Sequence, residues 1–169
     1  MIKHDKRQVP LHKSFYDSEL GITGLDDIKE IIDIPDYKYV QGRSRHRRPR
    51  VNAPNHVSLV KEIKDKLPCF FFSFSRQKCQ NFAFELSKAG LFALDSRISP
   101  IIREKLSSAQ KEINELKSTK LLRQVLPYGI AFHHAGLIPV IKEIVEDLFS
   151  KGLIKVLYTT ETFAVGINM

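Results

Sequence analysis

The sequence predicts an α/β protein: a parallel sheet flanked by helices, preceded by an N-terminal extended arm. Three observations lead there. A short continuous apolar run occurs at Cys69–Phe74, which suits a strand buried on both faces of a parallel sheet, and Gly129–Phe132 and Leu153–Tyr158 read as two further strands. Amphipathic stretches with helical spacing lie between them, and strand–helix–strand alternation implies right-handed crossovers. Each run is followed by a polar or glycine-bearing turn, 73–78, 133–137 and 159–168, and open parallel sheets bind ligands beyond the C-terminal ends of their strands.

Taken in chain order, residues 1–54 differ from the rest. They hold a strand-like run over Val9–Tyr16, a turn region with Gly21 and Gly24, an acidic amphipathic stretch over Leu25–Ile34, and an arginine-rich linker closed by Pro49 and Pro54. From residue 55 to 169 a second region begins. Asn55 is placed to cap a helix reaching Lys66, with Val57, Val60, Ile63 and Leu67 at helical spacing and Pro68 as its stop. Ser75 is the expected N-cap of the next helix, whose stripe is Cys79, Phe82, Ala83 and Leu86, and Gly90 ends it. Asp95–Leu126 reads as helical, with Pro100 near its start and Ser107 and Gln110 set as a capping box. Leu137–Ser150 is the clearest helix: Pro139 sits in its first turn, Ile141, Ile144, Val145 and Leu148 form its stripe, and Gly152 follows.

Composition narrows the function. The 169 residues carry 27 Lys and Arg against 19 Asp and Glu, a net charge of +8. An anionic partner is favoured, nucleic acid first. Arg43, Arg45, Arg47, Arg48 and Arg50 concentrate much of that excess, as a solvated loop or as a phosphate-binding arm. No apolar run reaches the ~20 residues that span a bilayer, so no membrane is expected. Cys69 and Cys79 do not make a disulfide framework, and the N-terminus shows no signal-peptide pattern. A cytoplasmic protein is the expectation.

The turns after the three runs carry motifs. Phe72-Ser73-Phe74-Ser75-Arg76, Phe132-His133-His134-Ala135-Gly136-Leu137 and Thr159-Thr160-Glu161-Thr162-Phe163-Ala164-Val165-Gly166-Ile167-Asn168-Met169 occur in that order, after Arg7-Gln8-Val9-Pro10-Leu11. Together they resemble motif IV, the "HH(A/S)GL" segment, motif V and the opening "RPVPL" strand of the second RecA-like lobe of superfamily 2 helicases, in the superkiller-type DExH-box branch. The likeness is dense from Leu121 to Met169, clear from Cys69 to Leu86 and thin from Asp17 to Pro54. It departs from the family in three ways: no Walker-type loop, no Asp-Glu dipeptide, and an end at Met169 where the family continues into motif VI. The phosphate cradle, the metal-binding box and the charge-stabilising arginines are parts that phosphoryl transfer needs. The expectation is an incomplete lobe that does not hydrolyse ATP alone, and no residue of it is assigned a catalytic role.

The resemblance implies that Thr160 and Thr162 touch a nucleic-acid backbone, and that Gly166 and Asn168 approach ATP held with Mg²⁺ between two lobes in the intact enzyme. No tightly bound cofactor is expected on this chain. Ser75 and Arg76 open a helix, which aims free N–H groups and a guanidinium at one place, where a phosphate fits as well as an ordinary cap does. Adjacent His133 and His134 point to opposite faces of a strand and so are poorly placed to share a metal ion. One is read as packed; His134, with Gly136, is read as lining the strand path. Both cysteines read as core thiols.

The expected partners are single-stranded RNA or DNA and the missing first lobe, with possible self-association through an exposed sheet edge. The alternative is a non-catalytic basic module that binds nucleic acid or a helicase subunit through the arginine arm.

Overall fold

A computed structural model describes residues 10–17, 21–31, 55–107 and 109–161. The chain divides into two compact units, Met1–Glu62 and Ile63–Met169.

In the first unit, β1 (Phe15–Asp17) and β2 (Gly21–Thr23) form an antiparallel pair in which Tyr16 faces Ile22. The strand expected over Val9–Tyr16 is therefore shifted: Pro10 to Ser14 are not strand, consistent with a proline that donates no ladder hydrogen bond. Gly21, expected in a turn, opens β2 with φ +71°. The acidic stretch forms α1 (Leu25–Ile31), opened by the Asp27 carboxylate accepting from the Gly24 amide at 2.8 Å. Asn55 caps α2 (His56–Glu62) as expected, its side-chain oxygen accepting from the Val57 amide at 2.9 Å. The arginine cluster lies outside the described residues.

The second unit holds the parallel sheet, in the order β3 (Cys69–Phe72), β5 (Val156–Thr159), β4 (Ile130–His133). The register pairs Phe71 with Tyr158 on one side of β5 and Phe132 with Tyr158 on the other. Between the strands run α3 (Arg76–Lys88), α4 (Ile98–Ser107), α5 (Lys111–Glu115), α6 (Lys117–Val125) and α7 (Pro139–Ser150).

Alternation along β3 sends its rings to two layers. Phe70 meets Phe149 of α7 at 5.2 Å between ring centroids, whereas Phe71 meets Tyr158, which meets Phe82 of α3 at 6.0 Å. Helices α3 and α7 thus cover opposite faces. The predicted stripes are buried: Cys79, Ala83 and Leu86 on α3, and Ile141, Ile144, Val145 and Leu148 on α7. Burial pushes the Cys69 thiol up to about 11 and raises Cys79 as well, as expected of core thiols.

Gly129 sets the alignment of β4 with β5. It adopts φ +74°, and a Cβ there would stand 3.0 Å from the Leu153 carbonyl oxygen. Its own carbonyl accepts from the Lys155 amide at 2.7 Å, immediately before β5. Only glycine meets both demands.

Two expectations fail here. β3 is an edge strand among the described residues, with Phe72 60 % exposed and the following Phe74 99 % exposed; an apolar run alone does not distinguish edge from centre. The Ser107–Gln110 box does not form. The Ser107 hydroxyl donates back to the Glu104 carbonyl at 2.6 Å, closing α4, and Gln110 precedes α5 without a side-chain cap.

Candidate nucleic-acid interface

Parallel strands end at one rim, so the segments after β3, β4 and β5 are neighbours by topology. The Ser73 amide donates to the Thr159 carbonyl at 2.8 Å, and the Thr159 hydroxyl donates to the His133 carbonyl at 2.9 Å. These bonds stitch the three strand ends together.

Ser75 caps α3: its hydroxyl oxygen accepts from the Lys78 amide at 3.3 Å. The hydroxyl proton stays available to a ligand oxygen. Arg76 follows as the exposed first residue of α3, and its guanidinium reaches across to the β4 turn. A Cβ built on Gly136 would lie 3.3 Å from Arg76 Nη1. Among the described residues no carboxylate pairs with Arg76.

The two histidines diverge as their spacing implies. His133 turns toward α7, where Nε2 lies 3.0 Å from Glu146 Oε1. His134 turns toward α3, stacks on Phe132 with centroids 5.8 Å apart, and is only 3 % exposed. Its Nδ1 accepts from the Gly136 amide at 3.2 Å. The neutral ring then carries its proton on Nε2, which lies 2.9 Å from Gln80 Nε2; turning the amide over presents its oxygen as the matching acceptor. Burial holds both imidazoles below their usual range. For His134 the nearby Arg76 charge is the next cause; for His133 the Glu146 hydrogen bond opposes the shift.

Thr160 follows β5 with its amide 3.4 Å from the His133 carbonyl, its carbonyl accepting from the Thr159 hydroxyl at 3.1 Å, and its side chain largely covered. The structure therefore brings Ser75, Arg76, His134, Gly136 and Thr160 to one rim. Thr162, Gly166 and Asn168 lie outside the described residues.

Three residues at this rim are not among those expected from the sequence. Gln80 stands one turn along α3 from Arg76, a spacing that puts both on one helix face. Glu146 is the acceptor for His133. Lys142, in the first turn of α7, is close enough for its charge to depress both imidazoles. Arg76 and Lys142 thus bring positive charge to the rim from α3 and α7. No group of three or more metal-ligating side chains occurs among the described residues.

No family model matches the chain. Individual relatives do. The chain is 42 % identical over 117 residues to the DExH-box ATP-dependent RNA helicase DExH10 of Arabidopsis thaliana, a match spanning 67 % of this chain and 12 % of that protein. It is 40 % identical over 118 residues to the antiviral helicase SKI2 of Saccharomyces cerevisiae, covering 69 % of this chain and 9 % of the relative.

The chain belongs to the superkiller-type DExH-box helicases.

A further member of that family, the exosome RNA helicase MTR4 of Homo sapiens, is 34 % identical over 134 residues, covering 76 % of this chain and 13 % of the relative. The matches thus span about a tenth of the helicases they fall in. The three-stranded parallel sheet with helices on both faces is consistent with part of a RecA-like lobe. Among the described residues no helix is long and apolar enough to cross a membrane.

Proposed function

We propose that this chain is the second motor lobe of an ATP-dependent helicase, comprised in residues 55–169, and that its rim grips the backbone of single-stranded nucleic acid. RNA is the favoured substrate, because the relatives are named as RNA helicases. The observation that carries the proposal is the Arg76 guanidinium lying over the bare Gly136 backbone at the shared strand ends. A phosphate there meets a guanidinium, the open N-terminus of a thirteen-residue helix and a backbone unobstructed by a side chain. Contacts of this kind hold a strand in register without reading its sequence.

Ser75 and Arg76 supply the donors. Gly136 supplies the close approach, and His134 acts from beneath by holding the Gly136 amide. Thr160 extends the grip just past the end of β5, Lys142 adds charge, and Thr162 is assigned to the same contact from the motif alone. In the intact helicase ATP with Mg²⁺ supplies the energy of lobe closure, with Gly166 and Asn168 as the contacts from this side. The chain alone is expected not to hydrolyse ATP.

The test is titration of labelled oligouridine and oligothymidine with the parent chain, Arg76→Ala, Thr160→Ala and a chain lacking residues 43–50. Loss of affinity in both point variants supports the rim. Loss confined to the deletion supports instead a basic module acting through the arginine arm.

A further inference from the structure

A polar pocket lies toward the end of the sheet opposite the rim. Its lining comes from α4 (Ser99, Ile102, Arg103), α6 (Arg123) and the turn at Pro127, around a volume of about 280 Å³. Ser99, Ile102 and Arg103 fall at i, i+3 and i+4, so one face of α4 forms a wall. Pro127 precedes β4 and the strand-gripping rim follows it. The four-residue strand between them spans roughly 13 Å.

The charges around the cavity are unevenly satisfied. Asp95, tied to the turn through its amide and the Pro127 carbonyl at 2.7 Å, is bound by Arg97 at 2.6 Å. Glu115, near enough to Arg123 to feel its charge, is bound by Lys120 at 2.6 Å. Arg123 donates to the neutral side-chain oxygen of Asn114 at 2.6 Å, and among the described residues it makes no direct ion pair with a carboxylate. Among the described residues no carboxylate pairs with Arg103. Asp95 and Glu115 are held by Arg97 and Lys120, and the two guanidinium groups that line the cavity make no direct ion pair among the described residues.

We propose that this cavity is a docking site for a protein partner, taking one aspartate or glutamate side chain from an acidic segment. Two planar guanidinium forks carried on separate helices match a carboxylate, the Ser99 hydroxyl adds a donor, and Ile102 with Pro127 gives an apolar wall. A pocket of this size with two cations in its lining fits one anionic side chain, whereas a polynucleotide needs a run of cations along its track. The position across the sheet from the rim leaves the site open while a strand is held.

The test uses the chain as it stands and a fluorescein-labelled hexaglutamate peptide, followed by anisotropy, with circular dichroism verifying the fold of each variant. Arg103→Ala and Arg123→Ala are each expected to weaken the peptide about tenfold. Ser99→Leu, which fills the cavity and keeps both charges, is expected to do the same. Arg76→Ala is expected to leave peptide binding unchanged, which separates this site from the rim whether or not the rim binds RNA. Should either alanine variant lose its fold, Arg103→Lys or Arg123→Lys replaces it, keeping the charge without the fork and still expected to weaken the peptide. Unchanged binding in Ser99→Leu overturns the proposal, because surface charge alone then explains the affinity. Oligouridine weakened by Arg103→Ala as strongly as hexaglutamate overturns it in favour of an RNA surface, and inorganic phosphate competing as well as the peptide overturns it in favour of an indiscriminate anion site.

Discussion

Replacing Gly136 by alanine separates gripping from folding. The residue is exposed and its φ lies outside the left-handed region, so the backbone tolerates a Cβ without strain. The new methyl group would sit 3.3 Å from His134 Nδ1, 3.3 Å from Arg76 Nη1 and 3.4 Å from Arg76 Cδ. His134 does not yield easily, being buried, stacked on Phe132 and held through Gln80. The solvent-exposed guanidinium does. The expected outcome is a displaced Arg76 side chain and a stability change under about 1 kcal/mol, in the range of surface substitutions rather than core ones. A charge-assisted hydrogen bond is worth about 1.5–3 kcal/mol, and part of it is lost on displacement, so oligouridine binding falls roughly three- to tenfold. Because the arginine is still present, the salt dependence of binding stays near that of the parent. In Arg76→Ala the slope of log K against log salt drops by about 0.7, one phosphate contact on a single strand. Anisotropy titrations over a salt series read both quantities, and thermal denaturation reads the fold. Parental affinity in a normally folded Gly136→Ala refutes the reasoning, since the strand then does not approach that backbone.

Further expectations follow from the same geometry. His133 and His134 have depressed folded-state values, so the unfolded chain binds protons first; stability is full above the unfolded imidazole range near 6.5 and is lost as pH falls through the folded values, measurable by denaturant titration across that window. Removing the Arg76 charge raises His134 toward its ordinary value, visible in an NMR titration of the ring; no change there means the guanidinium is not beside it. Among the described residues the buried Thr119 hydroxyl has no hydrogen-bond partner, so Thr119→Val is expected to stabilise by about 1 kcal/mol in urea denaturation. The β3 edge carries Phe72 and Phe74 in the open, so light scattering is expected to show concentration-dependent association that Phe74→Lys reduces; a concentration-independent monomer contradicts it.

The parallel sheet and its helices were legible because their punctuation is local. Ser75, Gly90, Pro139 and Gly152 mark helix ends by what each does to the backbone within one turn, and the structure has helix boundaries beside all of them. The divergence of His133 and His134 was likewise readable, since strand alternation needs no tertiary information. Tertiary context decided the rest. The run Cys69–Phe72 is equally apolar at an edge or a centre, and edge position does not by itself expose it, since β4 at the opposite edge is buried throughout. The Ser107 hydroxyl had two nearby backbone partners, and termination of α4 favoured the carbonyl behind it over a cap ahead. His134 was expected along the strand path, but the packing of Phe132 and Gln80 buries its ring, leaving the Gly136 turn it holds on the surface. Arg103 and Arg123 carry no sequence signal, because 20 positions separate them and only the packing of α4 and α6 brings them to one cavity.

Amide chemical-shift mapping during titration with oligouridine tests the central claim most directly. Shifts are expected at Ser75, Arg76, Gly136 and Thr160, all just beyond the C-terminal ends of the three parallel strands. Perturbations that spare these residues and gather around Arg103 and Arg123 would contradict it.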